Sequence, residues 1–169
     1  MSHLETERLA LRELTLDDAP FILRLLNDPA WLQFIGDRNV HTLDAARGYL
    51  TSGPLAMYRE RGFGLWLVEL KIDATPVGIC GLLKRETLPD VDLGFAFLPE
   101  FRGRGYGYEA AAATLAHGRN AIGLNRIVAV TAPDNTRSIA LLEKLGLRFE
   151  KTVRLKSDGP ETRLYATTV

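Results

Sequence analysis

The sequence predicts a mixed α/β (α+β) fold, and three observations carry that prediction. Segments such as Leu9 to Leu14, where apolar and polar residues alternate, have the length and period of half-buried strands. Between such segments lie stretches with apolar residues at helical spacing, opened by capping residues and closed by glycine or proline. One apolar segment, Val91 to Leu98, runs through a glycine-punctuated loop straight into the alanine-rich run Tyr108 to His117, so a strand and a helix meet at a special junction.

Taken in order, Leu9 to Leu14 is the first strand. Thr15 can cap a helix whose first turn holds Asp17 and Asp18 and whose apolar face is Ala19, Ile22, Leu23, Leu25 and Leu26. Pro29 punctuates it, with a short helical piece around Ala30 to Phe34. Thr42 and Ala45 open a helix towards Arg61, which Gly53-Pro54 should interrupt because proline lacks the helical donor and clashes with the preceding turn. Phe63 to Lys71 and Thr75 to Arg85 read as two strands around a tight turn at Ile72-Asp73-Ala74. Val91 to Leu98 follows as a strand, Gly105 to Asn120 as a helix and Arg126 to Thr131 as a buried strand. Thr136 to Leu145 is a helix that Gly146 can cap, and strands near Arg148 to Lys156 and Thr162 to Thr168 close the chain around Ser157-Asp158-Gly159-Pro160.

Length and composition bound the function. A chain of 169 residues, 46% hydrophobic and 25% charged, suits one domain spanning residues 1–169 with a sizeable core. Lys+Arg and Asp+Glu both number 21, so no global field favours nucleic acid, and none is expected as a partner. No apolar run reaches the length of a membrane span and the N-terminus lacks a signal-peptide core, which points to the cytoplasm and to no membrane partner. The single cysteine, Cys80, sits in an apolar run and reads as a buried, inert thiol. His3, His41 and His117 share no metal-ligand spacing, so no metal is expected.

The chemistry concentrates in Phe97-Leu98-Pro99-Glu100-Phe101-Arg102-Gly103-Arg104-Gly105-Tyr106-Gly107. Glycines let the backbone approach a ligand closely. The first amides of the following helix have no partner within it and sit at the positive end of its dipole, which makes a phosphate cradle. Arg102 and Arg104 add charge beside it, so a ligand with a pyrophosphate is expected. A nucleotide P-loop would need a Gly-Lys-Ser/Thr ending, which is missing. Gly105, Gly107 and Ala110 do fit the dinucleotide fingerprint, but that fingerprint requires its glycines directly after the strand, and Pro99 to Arg102 intervene.

Arg102, Gly105 and Gly107 also fill Arg/Gln-x-x-Gly-x-Gly/Ala after a strand ending in x-x-Pro. This resembles the acetyl-CoA motif of the GNAT acyltransferases. Asn135-x-x-Ser138, followed by Leu141-Leu142-Glu143-Lys144-Leu145-Gly146-Leu147, resembles the second half of the same cofactor site. Leu4-Glu5-Thr6-Glu7-Arg8-Leu9-x-Leu11-Arg12 is similar to the opening of the RimJ/RimL-like ribosomal-protein N-terminal acetyltransferase branch. The resemblance implies a GNAT fold, with a central, mostly antiparallel twisted sheet of about seven strands flanked by helices and two splayed parallel strands at the cofactor site. It implies an acetyl-CoA-dependent N-acetyltransferase whose acceptor is a primary amine, either a protein N-terminal α-amine or a small molecule such as an amino acid. A non-catalytic acyl-CoA-binding module is the alternative, and a homodimer is left open.

By the same resemblance the cofactor is held by Phe97, Leu98, Arg102, Gly103, Arg104, Gly105, Tyr106 and Gly107, with the backbone at Phe97 and Leu98 pairing with pantetheine. A neighbouring backbone N–H would serve the oxyanion. Asn135 would bond the cofactor or an ordered water, and Ser138 would approach the sulfur as proton donor or relay. Their alternative role is capping the helix that starts there. Asp92 matches the position of a candidate base, one methylene short of the branch's Glu, with an edge carboxylate meeting solvent as the other reading. Glu109 is read as serving the helix dipole. Trp31, Met57, Tyr58 and Trp66 are read as core residues, with an acceptor groove as the alternative.

Overall fold

The computed structural model describes residues 2–168. Strand β1 (Ser2–Glu5) turns into β2 (Leu9–Glu13), and a 3₁₀ turn at Leu16–Asp18 leads into α1 (Ala19–Leu26). Thr15 caps that turn, as the sequence predicts, and forms a reciprocal capping box with Asp18. Helices α2 (Pro29–Phe34), α3 (Leu43–Ser52) and α4 (Pro54–Arg61) follow, with α3 and α4 parted at Gly53-Pro54. Then come β3 (Leu65–Leu70), β4 (Pro76–Leu83), β5 (Asp92–Phe97), α5 (Tyr106–His117), β6 (Val128–Thr131), α6 (Thr136–Lys144), β7 (Arg148–Arg154) and β8 (Glu161–Ala166).

One sheet holds all eight strands in the order β1-β2-β3-β4-β5-β6-β8-β7, one strand more than the expected seven. The addition is β1, which lies at the sheet edge against β2. Its sequence has no alternation of its own, and its side contacts come from elsewhere in the fold: His3 stacks on Trp66 at 5.5 Å between ring centroids and pairs with Glu13. Every neighbouring pair is antiparallel except β5 and β6. Those two are parallel and meet at Asp92↔Val128 alone, so beyond that bridge they part.

The core lies on both faces of the sheet. Strand β3 shows the period of two: Leu65 and Leu67 pack with α1, α2 and α3, whereas Trp66 and Val68 pack beneath α5 and α6. Burial on both faces explains why Leu65 to Val68 is an unbroken apolar run. Helix α5 ends three residues earlier than its sequence suggests, at His117, and a π turn at Gly118–Ile122 takes over. Ile127 and Leu82 lie against Gly118, where any side chain would meet Ile127 at 2.9 Å. Among the described residues no helix is long and apolar enough to cross a membrane.

Candidate functional site

A cavity of about 510 Å³ opens where β5 leaves the sheet, between α2 on one side and the starts of α5 and α6 on the other. Three groups of backbone and side-chain atoms define it.

The first is the loop into α5. Gly105 is the N-cap with φ +84°, a conformation that L side chains rarely adopt, and it offers no side chain to cap the helix. The first-turn amides of a twelve-residue helix are therefore left for a ligand, and Gly105, Tyr106, Gly107 and Tyr108 all line the cavity. Gly107 serves packing: a Cβ there would lie 3.3 Å from Leu141, so glycine lets α5 and α6 close up beside the cradle.

The second is the free edge of β5. Leu98 N–H donates to Val77 O at 2.9 Å, which makes Gly78↔Phe97 a non-hydrogen-bonded pair with β4. The main-chain groups of Phe97, and of Phe95 two residues earlier, therefore turn away from β4 towards β6. Since β6 has already parted, they face the opening. Phe97 C=O is taken by Arg102, whose Nε and Nη2 donate to it at 3.1 and 2.8 Å. Its N–H is the donor that remains at the rim. Leu98 sits in the core, with its N–H given to Val77 and its C=O accepting from Phe101 N–H.

The third is the start of α6. Asn135 is its N-cap, and the Asn135 side chain accepts from Ser138 N–H at 3.3 Å. Helix capping and site placement thus coincide, because that bond uses the serine backbone and leaves the hydroxyl out of the cap. Asn135 and Ser138 both line the cavity together with Phe97.

Arg102 lines the cavity but turns its charge inward. Besides Phe97 C=O it bonds the Asp28 carboxylate at 2.9 Å, and Asp28 in turn caps α2 by accepting from Ala30 N–H. One guanidinium thus ties the α2 wall to the end of β5, a fork geometry that lysine could not reproduce. Gly103 lines the cavity; Arg104 and Leu98 lie outside the lining. The cations that do line it, with Arg102, are Arg137 and Lys144 of α6, and Lys144 stands 4.5 Å over the Tyr108 ring. Neither stands within the glycine motif, and the only mark they carry in the sequence is their spacing with Ala140 and Leu141, which puts the four on one face of α6. Trp31, Phe34 and Ile35 complete an apolar wall on the α2 side. Trp66 and Tyr58 are core groups: Trp66 is 1% exposed, and the Tyr58 hydroxyl donates to Leu65 O and accepts from Leu14 N–H.

Asp92 lies outside the cavity lining, at the bridge where β5 and β6 diverge. The reading of an edge carboxylate meeting solvent is corrected: Asp92 is fully buried and accepts from Arg85 Nε at 3.1 and 3.3 Å. The parallel bridge to Val128 makes this an interior position, which one-dimensional alternation could not tell from a sheet edge. Burial pushes its carboxyl above the usual carboxylate range, against the opposing pull of Arg85. Cys80 is also fully buried, 3.5 Å from Thr114 Oγ1, and burial pushes its thiol up to about 12.

Known proteins share this fold. The family model for the acetyltransferase (GNAT) domain matches residues 8–148. The uncharacterized N-acetyltransferase YoaA of Bacillus subtilis is 28% identical over 152 residues, covering 89% of this chain and 85% of that protein. The crystal structure of an acetyltransferase from Agrobacterium tumefaciens superposes with a TM-score of 0.84 at 26% identity, covering 98% of this chain and 94% of the other. RimL, a ribosomal L7/L12 alpha-N-protein acetyltransferase solved in complex with coenzyme A, shares the fold with a TM-score of 0.83 at 18% identity, covering 100% of this chain and 98% of its own.

Proposed function

The chain belongs to the GNAT acetyltransferase family, and on that premise we propose that it moves an acetyl group from acetyl-CoA to a primary amine by direct transfer in a ternary complex. The observation that carries the proposal is the opening between β5 and β6, whose free main-chain edge runs towards an uncapped helix N-terminus. These two features suit the two ends of one ligand. A diphosphate needs clustered N–H donors. An amide-bearing pantetheine arm needs an unpaired strand edge.

Each residue then has a task. The amides of Gly105 to Gly107 bind the diphosphate, and Phe95 and Phe97 offer main-chain partners to the arm. Phe97 N–H is the donor for the thioester oxygen as negative charge develops there. The Ser138 hydroxyl stabilises the departing sulfur by a short hydrogen bond, since a serine is too weak an acid to do more than relay a proton. Asn135 holds the backbone of Ser138 in place. Asp92 anchors the point where the strands part, and the amine arrives neutral or loses its proton to water. No covalent acyl-enzyme is needed, and the buried Cys80 thiol supports its absence.

For the acceptor, the likeness of Leu4 to Arg12 to the N-terminal acetyltransferase branch supports a protein α-amine. The test is an acceptor panel with acetyl-CoA, comparing short peptides with free N-termini against amino acids and small amines, followed by CoA release. Turnover on peptides and not on the same side chains as free amines supports the proposal. Turnover confined to small amines replaces its acceptor, and acetyl-CoA binding without turnover on any amine replaces transfer by a binding role.

A further inference from the structure

Arg8 lies in the turn between β1 and β2, outside the cavity lining and about a hundred residues from the phosphate loop in sequence. Its guanidinium nevertheless touches that loop at successive points. Nη1 donates to Arg104 C=O at 2.9 Å, the group stands 4.5 Å over the Tyr106 ring, and Nη2 lies 3.2 Å from where a Gly105 Cβ would be. Nε donates to Glu109 at 2.8 Å, and Arg8 backbone N–H donates to the other oxygen of the same carboxylate at 2.9 Å. Thr6 Oγ1 donates to Glu109 as well. Glu109 is thus the socket in which the β1–β2 turn seats Arg8. Burial pushes its carboxyl up, but the bonds from Thr6 and Arg8 outweigh that and hold it below the usual range.

The consequence follows from peptide geometry. Arg104 C=O and Gly105 N–H belong to one planar trans peptide, so they point in opposite directions. Arg8 draws the carbonyl outward, away from the cavity, and the Gly105 N–H is thereby turned inward, where Gly105 lines the wall. This peptide turns about Arg104 ψ and Gly105 φ, and glycine at 105, with φ +84°, leaves it free to rotate unless something holds it.

We infer that Arg8, seated by Glu109, is a positioning residue for diphosphate binding: it fixes the Arg104–Gly105 peptide so that the Gly105 N–H faces the cofactor's phosphates. The inference rests on the acetyl-CoA reading above. An exposed ion pair of this kind adds little to global stability, so a purely structural role and a positioning role have different signatures.

The test compares wild-type protein with Arg8→Met and Arg8→Lys, titrated with acetyl-CoA and, in parallel, with S-acetylpantetheine, which lacks the diphosphate. Methionine keeps the aliphatic stem and removes every donor. Arg8→Met is expected to weaken acetyl-CoA binding roughly tenfold or more, the size of one lost hydrogen bond to a charged group, and to leave S-acetylpantetheine binding and the melting temperature unchanged. Lysine cannot bridge Glu109 and Arg104 C=O at once, so Arg8→Lys is expected to fall between the two. Equal losses for both ligands, or unchanged acetyl-CoA affinity in folded Arg8→Met, overturn the inference and leave the acetyl-CoA reading standing. Wild-type protein that binds S-acetylpantetheine and acetyl-CoA equally well also overturns it, because the diphosphate then contributes nothing. Wild-type protein that binds neither removes the reading and the inference together.

Discussion

Replacing Gly105 by valine attacks the cradle at its most constrained point. Gly105 has φ +84° and ψ 2°, and the left-handed region costs an L residue about 1–2 kcal/mol, with a β-branched side chain at the upper end. The new Cβ would also stand 3.2 Å from Arg8 Nη2, a tight contact with the end of a flexible side chain that can move aside. Relief by rotating the peptide would take an amide out of the cavity. The cost therefore appears in folding if the loop holds and in binding if it yields. For a chain of this size about 2 kcal/mol corresponds to a fall in melting temperature of roughly 4–8 °C. The same free energy taken from binding is roughly a 30-fold loss of acetyl-CoA affinity. Circular-dichroism melting and calorimetric titration measure the two together. Gly103→Ala is the control, since φ is +74° there but no atom lies within 4 Å of the added Cβ. It is expected to show dihedral cost alone, with a smaller binding loss. A folded Gly105→Val protein with unchanged melting temperature and unchanged acetyl-CoA affinity would refute the reasoning.

Ser138→Ala is expected to lower kcat by tenfold or more in order of magnitude with little change in acetyl-CoA affinity, and an equal loss in both would make it a binding residue. Cys80→Ala is expected to leave turnover intact, and native protein should resist a thiol-specific reagent near neutral pH because the buried thiol is pushed up to about 12. Asp92→Asn tests the buried carboxyl by linkage. Its folded pKa lies above its unfolded value, so the native state binds the proton more tightly and Asp92 favours folding at low pH. That contribution is lost as pH rises from the ordinary carboxylate range through the raised value. Denaturant unfolding across that window should therefore give a wild-type-minus-variant difference that shrinks with rising pH, and the variant should keep the shape of the pH–rate profile. A variant that folds but loses the acidic limb of that profile would restore Asp92 as the base.

How much of this could be read from the sequence depended on how local each signal was. The cradle was legible because Gly103, Gly105 and Gly107 and the helix they open are contiguous, and left-handed backbone asks for glycine at two of those positions. Asn135 and Ser138 were legible for the same reason, since one helix turn brings them together. Arg8 was not, because its partners Arg104 and Glu109 reach it only through the sheet. Glu109 reads as a dipole residue from its place in the first turn, and its second role exists only once β1 and β2 pack beside α5. Arg102 was found as a site residue, but its two acceptors, Phe97 C=O and Asp28, depend on where α2 lies. Asp92 shows the limit of alternation most plainly. The period of two gives its face of the strand, and only the single bridge to Val128 reveals that this end of β5 is interior.

The measurement that tests the central claim most directly is calorimetric titration of the protein with acetyl-CoA, with NADH as the diphosphate-bearing control. Micromolar binding of acetyl-CoA and none of NADH is expected, because the strand edge at Phe95 and Phe97 selects the pantetheine arm while the helix N-terminus takes the diphosphate. Binding of NADH with no binding of acetyl-CoA would contradict the account.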